Sequence, residues 1–189
     1  MKTILKLFLI TMASMSLAGL NFAATEVNST RPAGVDELKL LRKFISQKIT
    51  GKERLRKFDE LDFEVFNGEN WEDMKLSHAK DIKVTWPDGR VTIGIETHIE
   101  DLKGMFTWSP TTKVESHPVR IAAGEWTAVI GILTGRFSRV MNTPTGDQIQ
   151  PTGKSFKIQM ATIGRWSKGV MVEEFLFWDN KHLFSQIGL

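Results

Sequence analysis

The segment Lys154–Asp179, KSFKIQMATIGRWSKGVMVEEFLFWD, constrains the fold more than any other stretch. Apolar runs flank Ser167-Lys168-Gly169 on both sides, and Gly169 can take the positive φ that a tight reversal needs. Two long strands folded on each other are therefore predicted. Strand side chains alternate with a period of two. In the first strand Phe156, Ile158, Met160, Thr162, Gly164 and Trp166 share a face, opposite Lys157, Gln159, Ala161, Ile163 and Arg165. In the second, Val172, Glu174, Leu176 and Trp178 oppose Met171, Glu173, Phe175, Phe177 and Asp179. Both faces of the second strand are largely apolar, so cover is expected on both sides. A carboxylate in such a sheet is paired, protonated or directed into a polar cavity. The hairpin is thus expected to floor a pocket.

The amino terminus has a separate role. Lys2 and Lys6 precede the short apolar run Leu7–Leu17, and small residues follow, which is the pattern of a secretory signal. Residues 1–24 are assigned to that signal, 25–34 to a polar linker and 35–189 to one globular domain, with a periplasmic or secreted location expected. The signal holds two lysines and no acid; without it 23 basic residues face 22 acidic ones, and the formal charge falls from +3 to +1. So balanced a charge argues against nucleic acid or an anionic membrane as partner, beyond the export signal itself. The chain has no cysteine, which excludes disulfides and thiol chemistry.

Helices are expected first and strands later. An apolar stripe of Leu38, Leu41 and Ile45, with Leu40 and Phe44 beside it, predicts a helix stopped by Gly51. A second amphipathic segment carries Leu55, Phe58, Leu61 and Val65, and Asn70 can cap a third over Trp71–Leu76. A strand over Asp81–Trp86 and a Pro87-Asp88-Gly89 turn come next, then a short extended piece at Arg90–Ile93 and a helix over Glu96–Phe106. Strands are predicted over Val114–Ala122 and Trp126–Val140, a long connection over Met141–Gly153, and a closing helix over Asn180–Ile187 that Asp179 can cap. This order indicates an α+β architecture.

The candidate chemistry is carried by a few side chains. Glu173 and Glu174 are adjacent in a strand and point to opposite faces, so they cannot act as a pair. Glu174 shares its face with Leu176 and Trp178; desolvation is expected to raise its pKa, with an ion pair to Arg165 or Lys157 as the structural alternative. His98 and His117 can serve as acid, base or donor, or as half-buried core residues, and His182 is placed at the surface. The spacing of the four histidines defines no metal site, and neither a metal nor another cofactor is expected. Trp86, Trp126, Met160, Thr162, Leu176 and Trp178 are expected to line an aromatic pocket for a hydrophobic small molecule.

WPDG at Trp86–Gly89, GIETHIEDLKGMF at Gly94–Phe106, PTGK at Pro151–Lys154 and GVMVEEFLFWD at Gly169–Asp179 resemble the SnoaL-like polyketide cyclases, in particular the ester cyclase subgroup. The resemblance covers about residues 35–189. It implies the cone-shaped nuclear transport factor 2-like fold, a curved antiparallel sheet with three to four helices enclosing a pocket. The same resemblance implies cofactor-free acid/base chemistry, such as ring closure, isomerisation or lactone turnover. Two positions depart from the family pattern. Thr162 stands where the family has its acid/base Asp, and Leu133 where G-x-H-x-G has its His. Catalysis would then fall to Glu174, His98 or His117. The alternatives to an enzyme are a non-catalytic binder of a hydrophobic ligand in the cell envelope, and an assembly module pairing two chains as a homodimer through an outer sheet face.

Overall fold

The computed structural model describes residues 33–143 and 145–189, with the Ala33 side chain left aside. The assigned signal segment and most of the linker lie outside these residues. The chain divides after Leu38, and the architecture below is that of Lys39–Leu189.

Eight strands and three α-helices follow one another: α1 (Ala33–Glu60), β1 (His78–Thr85), β2 (Val91–Ile93), α2 (Ile95–Trp108), β3 (Lys113–Ala123), β4 (Trp126–Arg136), β5 (Met141–Asn142), β6 (Gln148–Ile149), β7 (Ser155–Ser167), β8 (Val170–Phe177) and α3 (Asn180–Ile187). Six strands form one curved sheet in the order β2-β1-β8-β7-β4-β3, and β5 with β6 makes a small hairpin inside the long Met141–Gly153 connection. All neighbours in the main sheet are antiparallel except β1 and β8, which run parallel. The fold is the α+β, antiparallel-dominated sheet with covering helices that the family resemblance implies.

The β7–β8 hairpin turns where expected: Lys168 and Gly169 both have positive φ, 48° and 87°, the pairing a two-residue reversal requires. The inner face of β7 is the predicted one, with Phe156, Ile158, Thr162 and Trp166 buried. On β8 the alternation slips. The ladder pairs Arg165 with Glu173 but Trp166 with Met171, so Val172 is an extra residue and Met171, not Val172, enters the core. The outer face of β8 also departs from expectation. Phe177 remains exposed and Glu173 is held there by Arg165 and Lys83, so the described residues cover this strand on one side only.

Gly51 does not stop the first helix; α1 runs through it to Glu60. The glycine is buried at a close crossing, where a Cβ would lie 3.1 Å from the Ala122 Cβ on β3. The preceding stripe (Leu40, Leu41, Phe44, Ile45 and Ile49) stays exposed, contrary to the amphipathic pattern's usual outcome. After Glu60 the helix widens into a π-helical turn, Leu61–Phe66, and a 3₁₀ turn covers Trp71–Leu76. Asn70 precedes that turn, but its side chain makes no cap; it donates to the Glu64 carbonyl instead.

Two apolar clusters fill the concave side. One joins Phe58, Leu61 and Val65 to Ile82, Val84, Ile95, Ile99, Trp166 and Leu176, among others. The second joins Phe66 and Phe106 to Leu133, Phe137, Phe156, Ile158, Leu183 and Ile187, with Val114. Leu102, Met160, Trp71 and Trp178 pack against both clusters, and the pocket opens at this seam.

Candidate active-site pocket

Glu174 is the centre of the site. It lies on β8 opposite Gly164 of β7, which presents no side chain, and is 4% exposed. β1 runs beside β8 and starts with His78; α2 crosses above and brings His98 over the same carboxylate. His98 Nε2 lies 3.2 Å and His78 Nε2 3.7 Å from Glu174 Oε2. All three residues are buried, and their ligand-type atoms fall within 4.8 Å of one another. Behind His78 a short chain fixes its ring: the Ser77 hydroxyl, 2.9 Å from Nδ1, donates to the Met74 carbonyl.

Burial alone pushes the Glu174 pKa up, as the sequence predicts. Attraction to His98 first and to His78 second outweighs it, and the net position is below the ordinary carboxylate value. For His98, burial dominates and holds the imidazole down to about 4, against the pull of Glu174. Around neutral pH the site thus presents a buried carboxylate beside a neutral imidazole. The ion pair to Arg165 envisaged for Glu174 is formed by Glu173 on the other face, and Lys157 pairs with Glu115.

The facing wall is acidic too. Asp62 sits in the π-helical turn, and Asn67 N–H closes the wide turn on the Asp62 carbonyl at 3.1 Å. Its carboxylate takes a 2.8 Å bond from His117 Nε2, while His117 Nδ1 donates to Asp59 at 2.8 Å and Arg120 binds Asp59 from the solvent side. Burial raises the Asp62 pKa despite the His117 bond, and nearby Glu174 adds to the rise. On His117, burial acts downward, but the bonds to Asp62 and Asp59 prevail and its pKa is raised.

The pocket between these walls is narrow, with a cavity volume of about 50 Å³. Trp86 and Trp178 meet edge to face at 6.5 Å, each ring N–H satisfied, by Thr92 and Asn180 respectively. Leu102, Met105, Met160, Thr162 and Leu176 complete much of the apolar lining, and no lysine or arginine contributes to it among the described residues.

Of the residues singled out from the sequence, Glu174, His98, Trp86, Met160, Thr162, Leu176 and Trp178 meet in this one pocket. Two do not. Trp126 lies on the outer sheet face against Phe175, 38% exposed, because β4 alternation sends Thr127 and Val129 inward instead. His117 is off the pocket wall, with both ring nitrogens engaged by aspartates, and reaches the cavity only through Asp62. His182 is exposed, as expected. Sequence reasoning missed His78 and Asp62. β1 begins at His78, three residues before the predicted Asp81, and Asp62 follows Asp59 at a helical spacing of three, the signal that could have pointed to it.

The comparisons with known proteins bear on the fold and the family. The SnoaL-like polyketide cyclase family model matches residues 58–187. No curated protein matches the chain. Among solved structures, wild-type IdmH of Streptomyces antibioticus, described as a candidate polyketide cyclase, is similar at 20% identity and a TM-score of 0.61, covering 72% of this chain and 99% of its own. A SnoaL-like protein of Jannaschia sp. CCS1 is similar at 17% identity and a TM-score of 0.63, covering 72% and 92%. A protein of Xanthomonas campestris pv. campestris, described as a candidate polyketide cyclase, has 14% identity and a TM-score of 0.62, covering 75% and 99%. At such identities the likeness speaks for the fold, while the family model spans most of the chain: this protein belongs to the SnoaL-like polyketide cyclase family.

Proposed function

We propose that this protein is exported and performs acid/base chemistry on a slim, largely hydrophobic small molecule, of the kind that closes a ring, shifts a double bond or turns over a lactone. The carrying observation is the convergence of two buried carboxylates, Glu174 backed by His98 and Asp62 backed by His117, on one aromatic-lined cavity. Proton transfer next to a carbonyl needs a group that accepts and one that returns the proton within reach of one substrate. The opposite pKa displacements of Glu174 and Asp62 suit that division, Glu174 ionised as acceptor and Asp62 holding its proton more readily. The narrow cavity favours a flat substrate. Export is supported by Lys2, Lys6 and the apolar run after them. The exposed Phe177, Trp126 and Ile121 on the outer sheet face support a homodimer through that face.

The test is untargeted mass spectrometry of small molecules that co-purify with the protein recovered from the cell exterior, followed by turnover of the retained compound. Glu174→Gln should lower turnover by at least about a hundredfold, the scale of a lost general base. Unchanged turnover in that variant removes Glu174 from the mechanism. A second reading, a non-catalytic binder, is favoured by Thr162 and Leu133, both buried at the positions where the family pattern has Asp and His. Binding of the retained compound without any conversion decides for it.

A further inference from the structure

We propose that His78, His98 and Glu174 form a binding site for one divalent transition-metal ion, with Zn²⁺ as its simplest occupant. The inference takes the pocket above as the functional site but stands on separate observations.

The first is geometric. Four-coordinate zinc with bonds of roughly 2.0–2.1 Å sets its ligand atoms roughly 3.3–3.4 Å apart. The two histidine nitrogens lie 3.2 and 3.7 Å from Glu174 Oε2, straddling that separation. Three elements converge to produce this, so it is not the accident of one flexible loop: β1, α2 and β8 each supply one residue.

The second is the state of the atoms. His78 Nε2, Glu174 Oε2 and His98 Nδ1 are buried without a hydrogen-bond partner among the described protein groups. The Ser77 hydroxyl spends its one hydrogen on the Met74 carbonyl, so it accepts from His78 Nδ1. That tautomer turns the Nε2 lone pair toward a carboxylate oxygen. His78 Nε2 and Glu174 Oε2 are thus two buried, unpaired atoms 3.7 Å apart, and a cation between them gives both a partner. A histidine oriented by a hydrogen bond to its remote nitrogen is also the usual arrangement for a metal ligand.

The third is charge. The pocket wall carries Glu174, Asp62 and Asp101; Asp101 is paired with Arg90 and Asp62 with His117, while Glu174 has only His78 and His98 beside it among the described residues. Two imidazoles and one carboxylate select a first-row transition ion over Mg²⁺ or Ca²⁺, which prefer oxygen. The cavity, about 50 Å³, leaves room for an ion beside the three ligand atoms. An ion held there would make Glu174 a ligand instead of the proton acceptor proposed above and would supply a Lewis acid, leaving Asp62 for proton transfer.

The test uses the purified protein, stripped with a chelator and titrated with Zn²⁺ and with Co²⁺ while metal content, thermal stability and visible absorption are followed. Saturation at one ion per chain, a rise in Tm and visible bands of low-symmetry Co²⁺ are expected. Glu174→Gln and His78→Ala should weaken binding by about a hundredfold or more, and Ser77→Ala, which only releases the ring, by about tenfold. His182→Ala should leave binding unchanged. Absence of saturable binding by the wild-type protein overturns the proposal, and this arm does not depend on any variant folding. Equal binding by wild type and His78→Ala also overturns it, because the ion then sits elsewhere. A protein that retains its small molecule but no metal overturns this inference alone; one that binds metal but retains no small molecule overturns only the functional reading above.

Discussion

Replacing His117 with Leu isolates what the Asp59–His117–Asp62 chain contributes. Leu keeps an apolar body against Phe63 and Phe58, whose rings lie 4.5 and 5.8 Å from the imidazole, while both N–H groups are lost. The side chain is 2% exposed and each nitrogen makes a 2.8 Å bond to a carboxylate. Hydrogen bonds to charged groups contribute about 1.5–3 kcal/mol each, and breaking a buried charge pair by removing one partner costs about 3–5 kcal/mol. The half-buried Asp59 keeps Arg120, so most of the loss comes from Asp62, left buried and unpaired. A loss of about 3–5 kcal/mol is therefore expected near pH 6.

The pH dependence has a definite sign. A folded-state pKa raised above the unfolded value means the native state holds the proton longer, so this part of the stability is complete below the unfolded value of about 6.5 and fades as pH rises through the folded value. The wild-type protein should lose stability from mildly acidic toward alkaline pH, and His117→Leu should lack that component. As pH falls the variant should recover part of its deficit, starting above the ordinary carboxylate range, because burial raises the Asp62 pKa and His117 no longer holds it down. Urea unfolding of both proteins at pH 4, 6 and 9 measures all three. A deficit under about 1 kcal/mol at pH 6, or the same deficit at every pH, would refute the argument.

Other expectations follow from single contacts. Asp179→Ala removes the 2.9 Å cap on His182 N–H and should cost about 1 kcal/mol, seen in the urea midpoint. Gly164→Val places a branched side chain where even a Cβ lies 2.5 Å from Met171 Sδ and 3.2 Å from Thr127 Oγ1; a loss of about 1–3 kcal/mol is expected, and an unchanged Tm would mean the inner face is looser than it looks. Trp126→Ala should bind the co-purified compound as the wild type does, whereas Trp86→Ala should weaken it at least about tenfold, since an aromatic wall contributes more than 1 kcal/mol; calorimetry separates the two.

Much of the scaffold was legible in the residues. The turn at Lys168-Gly169, the inward set Phe156 to Trp166, the span of α3 and its Asp179 cap all follow from local rules, and each is present. The errors share a cause. Gly51 reads as a helix stop because glycine weakens helices, but its missing side chain is used for a close approach to Ala122, which lies in a distant strand. The Val172 bulge is invisible to a period-two reading, which assumes an unbroken ladder.

By itself the sequence determined the order of the main elements, the buried face of β7 and the presence of a carboxylate among apolar neighbours, since these depend on spacing along one segment. Only the tertiary structure decided what Glu174 meets. The parallel pairing of β1 with β8 and the crossing of α2 bring in His78 and His98, and a wide turn aims Asp62 from the opposite wall. Side-chain periodicity records which way a residue points within its own element. Which groups it faces is set by packing between elements far apart in the chain, and that packing gives Glu174 its partners and its pKa.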